Sequence, residues 1–223
     1  MDTIRVLPHR RQSDKEQNCG AACLAMILEH YRIRPSNLRE ITSQVVRTNK
    51  DGRPLCFNDL IVKYALRRGL YCSAVSAKDP RSFIPYCLEH GLDLFVNYHP
   101  VSGKSFAHYS LVSYATCDNV YLNDPQYDSP IGVNFEISFD DLCQSMKKMG
   151  RDDELALSDT FIVLSKSDSD VSVRWIADGD DKFPVFNCLL DNTVCILDPF
   201  AGRWLEVSKF PRVSPNISST ERP

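Results

Sequence analysis

Residues 12–28 read Gln12-Ser13-Asp14-Lys15-Glu16-Gln17-Asn18-Cys19-Gly20-Ala21-Ala22-Cys23-Leu24-Ala25-Met26-Ile27-Leu28. A polar, glutamine-bearing loop runs into a Cys-Gly pair, and a helix of small apolar residues starts at once. A sulfur at a helix N-terminus meets free N–H groups and the positive end of the macrodipole, so its thiolate is favoured. This stretch therefore predicts a nucleophilic Cys19. It also predicts a helix over 19–31: Ala21, Leu24, Ala25, Leu28 and Tyr31 share one face at helical spacing, with Met26 and Ile27 widening it.

Outward from this helix, Ser36 is a candidate N-cap for a second helix ending near Val46. Asp51-Gly52-Arg53-Pro54 is a turn. A third helix runs from an Asn58 cap to a Gly69 C-cap, and a fourth starts at Asp79-Pro80 and ends near Gly91. Strands are expected at 71–75, 92–98, 108–114, 120–122 and 160–165, with a helix at 140–149. Helices dominate the first ninety residues and antiparallel strands the next seventy, which predicts an α+β fold. Beyond it, 166–170 (Lys-Ser-Asp-Ser-Asp) reads as a linker. Residues 171–210 read as a small β extension, with a hairpin of 185–190 against 194–197, and 211–223 as a disordered tail. The expected organisation is one main domain over 1–165 with these additions.

Hydrophobic residues make up 43% of the 223 and charged ones 25%, enough for a sizeable core. A net charge of −3 gives no electrostatic reason to expect nucleic-acid or membrane binding. The start has no signal-peptide core, and the longest apolar run, 21–28, is far short of a membrane span. The nine cysteines are an odd number, which reads as reduced thiols and a cytoplasmic protein.

A cysteine nucleophile needs a base, a group to orient that base, and donors for an oxyanion. Of the five histidines, His9 and His99 lie in loops, His30 sits more than two turns from Cys19, and His90 ends a helix. Only His108 starts a strand directly after a loop, the setting of a base that projects into a cleft. The chain runs out along that strand and returns along 120–123, which brings Asp124 back beside His108, ready to accept a hydrogen bond from Nδ1. Asn123 is the competing orienter. The Cys19 N–H is the first oxyanion donor. Gln12 and Gln17 both qualify by type as the second. Gln17 is two residues from Cys19, whereas Gln12 has loop enough to fold back.

Metal binding is the rival chemistry for a cysteine-rich chain. Cys19 and Cys23 share a helix face, but no second pair at zinc-ligand spacing follows, so no metal is expected. No glycine-rich phosphate loop occurs, and no cofactor is expected. Val120-Tyr121-Leu122-Asn123-Asp124-Pro125 has an echo in Val194-Cys195-Ile196-Leu197-Asp198-Pro199, read as shared turn chemistry.

Taken together, Gln12, the run Asn18 to Met26, Asn58-Asp59-Leu60, Ala65 to Leu70, His108-Tyr109 and Asn123-Asp124-Pro125 resemble the bacteriocin-processing (double-glycine) cysteine peptidases over about residues 6–165. The resemblance implies a papain-like fold: a helical half packed on an antiparallel sheet. It also implies a Cys-His-Asp triad of Cys19, His108 and Asp124, with Gln12 in the oxyanion hole. The stretch from Asn123 to Asp141 is also similar, more distantly, to the guanylyl-cyclase-domain proteins, although carboxylate pairs for metal ions are missing. No transporter module follows, so the expectation is a free-standing enzyme that hydrolyses a peptide or isopeptide bond in a peptide or protein substrate. The alternative is an inactive papain-like module that binds a peptide or a protein partner.

Overall fold

A computed structural model describes residues 7–13, 18–33, 37–99, 107–147, 159–166, 171–178 and 181–209. Of the linker expected at 166–170, Lys166 closes a strand that runs from Thr160, and 167–170 lie outside the described residues, as does the tail at 211–223.

Helix α1 (Cys19–His30) is buried without interruption from Cys19 to Leu28. Its apolar and small residues occupy every face, so it is a core helix and not the one-faced amphipathic helix that spacing alone suggests. Helix α2 (Leu38–Val45) is capped by Asn37, whose side chain accepts from the Glu40 N–H. The expected cap, Ser36, lies outside the described residues. The chain passes directly into β1 (Val46–Thr48), which pairs antiparallel with β2 (Pro54–Cys56) across the predicted turn, where Gly52 takes φ 77°. Helix α3 (Asn58–Arg67) ends at Gly69, φ 79°, a conformation that costs a residue without Cβ little. Helix α4 (Pro80–Glu89) starts under the Asp79 cap.

The sheet comprises β3 (Leu70–Ala77), β4 (Asp93–Tyr98), β5 (His108–Ala115), β6 (Asn119–Asn123), β7 (Phe135–Ser138), β8 (Thr160–Lys166), β11 (Thr193–Asp198) and β12 (Arg203–Glu206), with α5 (Phe139–Lys147) following β7. Its order is β12-β11-β3-β8-β4-β5-β6-β7, antiparallel throughout. Alternation along the strands splits the core in two. Leu70, Cys72, Ala74, Ile162 and Leu164 face α1, α2 and α3. Val75, Phe161 and Val163 face the side covered by α4, α5 and the last part of the chain. The fold is α+β, as the pattern predicts.

The C-terminal strands differ from expectation. The hairpin pairs β9 (Val173–Asp178) with β10 (Asp181–Phe186), not 185–190 with 194–197. Residues 187–192 form a 3-10 turn, and β11 pairs with β3 instead. Burial decides this. Phe183, Val185, Phe186 and Leu189 close over the second core, and the Ser73 hydroxyl donates to the Pro184 carbonyl, which holds β10 against β3. Among the described residues no helix is long and apolar enough to cross a membrane.

Candidate functional site

Cys19 opens α1 and His108 opens β5, and the two meet because α1 lies across that strand. Both are almost fully buried, at 6% and 5% exposure. The Tyr109 N–H points at the Cys19 sulfur, 3.4 Å away. The Tyr109 hydroxyl reaches over to the Asn58 side chain at the start of α3, which ties β5 to the helical layer beside the sulfur.

Asp124 follows β6 immediately. The β5–β6 pairing, with Leu111 opposite Asn123, returns it to the end of the hairpin where His108 begins. Its Oδ1 lies 2.7 Å from His108 Nε2. The expected nitrogen was Nδ1. The carboxylate takes Nε2, which leaves the other ring nitrogen for the thiol. His108 also hydrogen-bonds Cys19, so one imidazole bridges the thiol and the carboxylate.

Asp124 is held at both oxygens. The Tyr98 hydroxyl donates to Oδ2 at 2.8 Å and the Gln126 N–H to Oδ1 at 2.8 Å. Tyr98 lies opposite His108 in the β4–β5 register and sets its ring edge-on to the imidazole, 5.8 Å between centroids. Sequence reasoning passed over Tyr98, since its function depends on a strand pairing. Asn123, the competing orienter, is occupied elsewhere: it accepts from the Asn134 N–H and donates to the Leu7 carbonyl. The echo at Asp198 reproduces only the turn, its Oδ1 accepting from the N–H groups of Phe200 and Ala201.

Gln12 lies where the loop before α1 crosses the Asp124-Pro125 turn. Its N–H donates to the Pro125 carbonyl at 2.8 Å, and the next N–H, of Ser13, donates to the buried Asn18 side chain beside Cys19. Asn18 in turn donates to Thr42 on α2. The Gln12 Oε1 is buried without a hydrogen-bond partner among the described residues. Gln17 lies outside them.

Two further residues, His9 (read as a loop residue in the sequence) and Gly132, shape this turn. The His9 Nε2 bonds the Asp124 carbonyl at 3.1 Å. Gly132 lies in the same place: a Cβ there would come within 2.5 Å of His9 Nε2, 2.6 Å of the Asp124 carbonyl and 2.8 Å of the Tyr127 carbonyl. Two of these are backbone atoms, so Gly132→Ala must push the turn that carries Asp124. A loss of about 1–3 kcal/mol in stability is expected, the usual cost of overpacking. Denaturant unfolding checks it, and an unchanged midpoint would show that the turn has room to give.

The electrostatics follow from this packing. The Cys19 thiol is held well below the usual thiol range: the Cys56 thiol donates to it, burial acts in the opposite sense, and His108 and the Tyr109 N–H add to the lowering. Burial disfavours charge on His108, but the hydrogen bonds and charges of Asp124 and Cys19 outweigh it and push the imidazole up to about 10. For Asp124, too, burial opposes charge and His108 overcomes it, so the carboxyl titrates below its ordinary value. Burial and the Cys19 charge push the Cys23 thiol up, and its Sγ is 3.5 Å from the Tyr109 carbonyl. A thiolate beside an imidazolium, with a carboxylate behind, is an arrangement that can serve as a thiol nucleophile with its acid already charged. Among the described residues no three His, Cys, Asp or Glu side chains gather as a metal-ligand set.

Solved structures share this architecture. The peptidase domain of Streptococcus ComA, described as a bifunctional ABC transporter involved in quorum sensing, is 21% identical with a TM-score of 0.51; the match covers 74% of this chain and 99% of that one. A C39-like peptidase from Bacillus anthracis is 15% identical, also at 0.51, covering 74% and 98%. A double-glycine-motif protease from an AMS/PCAT transporter, solved with the leader peptide, is 17% identical at 0.49, covering 74% and 97%. None of the three is a guanylyl-cyclase-domain protein. Among curated proteins no relative matches. The first two likenesses show the fold, a papain-like α+β arrangement. Residues 8–137, more than half of the chain, match the Peptidase C39 family, the group to which the Cys-Gly and His…Asp-Pro motifs point, and so the chain belongs to that family and is a cysteine peptidase.

Proposed function

We propose that Cys19, His108 and Asp124 act as a catalytic triad that hydrolyses a peptide or isopeptide bond in a peptide or protein substrate. The observation that carries this reading is the unbroken hydrogen-bonded line from Cys19 through His108 to Asp124. The Cys19 thiolate attacks the carbonyl carbon, forming the S–C bond and an oxyanion. The Cys19 N–H and the Gln12 side-chain amide receive the oxyanion; an oxyanion-hole donor of this kind contributes about 3 kcal/mol. His108 gives its proton to the leaving amine as the C–N bond breaks. It then takes a proton from water, which attacks the thioester and releases the thiolate. Asp124 keeps the ring turned toward the sulfur. Nine free thiols suit a reducing compartment such as the cytoplasm.

Alkylation by iodoacetamide, followed at each cysteine by mass spectrometry across pH, tests the reading. Near pH 6 we expect Cys19 to react faster than the exposed Cys117, because only Cys19 carries a charge there. If Cys19 shows the pH profile of an ordinary thiol, the activated nucleophile is refuted.

A further inference from the structure

A second thiol stands next to the nucleophile. Cys56 is the last residue of β2, 9% exposed, and β2 runs into α3 through Phe57. Pairing with β1, Val46 opposite Cys56, and the Phe57 N–H bond to the Val45 carbonyl fix its place. Helix α1 meets it at Gly20. A Cβ on Gly20 would lie 3.0 Å from the Cys56 Cβ, 3.2 Å from its Sγ and 2.8 Å from Ile61 Cδ1. The missing side chain at Gly20 therefore lets β2 close on the first turn of α1. The Cys56 sulfur is left beside the N–H groups of Gly20 and Ala21 and in hydrogen-bonding contact with Cys19. This gives the Cys-Gly pair a reason beyond the helix start.

We propose that Cys56 is a working part of the nucleophile's environment: its S–H donates to the Cys19 sulfur and, with the Tyr109 N–H and His108, holds Cys19 as the thiolate. The proposal rests on Cys19 being the nucleophile. Cys56 keeps its proton throughout, because the negative charge beside it and its burial both oppose a second thiolate. Among the described residues the titratable groups that face Cys19 are few. They are Cys56 from β2, His108 from β5 and Cys23 one turn along α1, with Asp124 reaching the sulfur through His108. Cys23 differs from Cys56 in its partner, the Tyr109 carbonyl. Around Cys56 itself, Arg47 of β1 is engaged with the Phe57 ring and Asp59, and Lys63 with Asp59.

The test compares the pH midpoint of Cys19 alkylation in the wild type, C56A, C56S and C23A, all kept reduced. Without the donor, C56A should shift the midpoint upward by about one pH unit, a roughly tenfold loss of reactivity below it. C56S, which restores a donor, should return the midpoint to the wild-type value, and C23A should leave it there. A merely structural role for Cys56 would lower the folded fraction without moving the midpoint. If C56A does not fold, C56V fills the same space without a donor and takes its place. A wild-type midpoint that is low, as the nucleophile requires, and unchanged in C56A or C56V overturns this proposal alone. A wild-type midpoint at the ordinary thiol value overturns both this proposal and the nucleophile assignment.

Discussion

His108→Ala is expected to lower kcat/KM for peptide hydrolysis by about 10⁴-fold, the range seen when a nucleophile loses its acid–base partner. Three contributions vanish together: the proton for the leaving amine, the base for the deacylating water, and the positive charge that favours the thiolate. The wild-type pH profile carries the same information. Cys19 titrates low, so activity is lost as pH falls through its lowered value and the thiolate is protonated. His108 titrates near 10, so activity is lost as pH rises through about 10 and the imidazolium can no longer protonate the amine. Both limbs belong to the coupled pair, not to one residue. In His108→Ala the acid limb should move up toward an ordinary thiol. A variant within about tenfold of wild type would remove His108 from the mechanism.

Asp124→Asn is expected to cost about 10³-fold in kcat with KM little changed, because in the proposed triad the residue positions the base and does not touch the substrate. Its buried carboxylate accepts from His108, Tyr98 and Gln126, so it is locked against rotation while it holds the ring. The diagnostic readout is the alkaline limb. His108 titrates near 10 in part because Asp124 accepts its proton and carries a charge. With a neutral amide that support is lost, and the limb should move to lower pH. Measured kcat against pH decides it. An alkaline limb that stays near 10 would mean that the carboxylate does not set the state of His108, whatever the loss of rate.

The wider site separates into what short-range chemistry encodes and what it cannot. Cys19 is legible because a small-residue helix beginning at a Cys-Gly pair is a local pattern. His108 and Asp124 are legible as a pair because a hairpin with matched strands returns its end to its start. Which imidazole nitrogen meets Asp124 is another matter. It depends on how the ring is turned in the folded chain, which the strand pattern does not encode, and Asp124 meets Nε2, not the expected Nδ1. Tyr98 is invisible until β4 is known to lie against β5. His9 looks like a loop residue, and Gly132 goes unremarked, because both matter only where two loops touch.

The sequence alone, then, determines the α+β class and points to Cys19 as the candidate nucleophile, since helix caps, hydrophobic spacing and turn residues act within a few positions of one another. Tertiary structure alone decides that β11 joins β3, that β9 pairs with β10, and that Cys56 stands at the Cys19 sulfur. These are contests between distant surfaces for burial and for hydrogen bonds. Their outcome is set by which close approach the whole chain can satisfy at once, here by a glycine that leaves room for a second thiol.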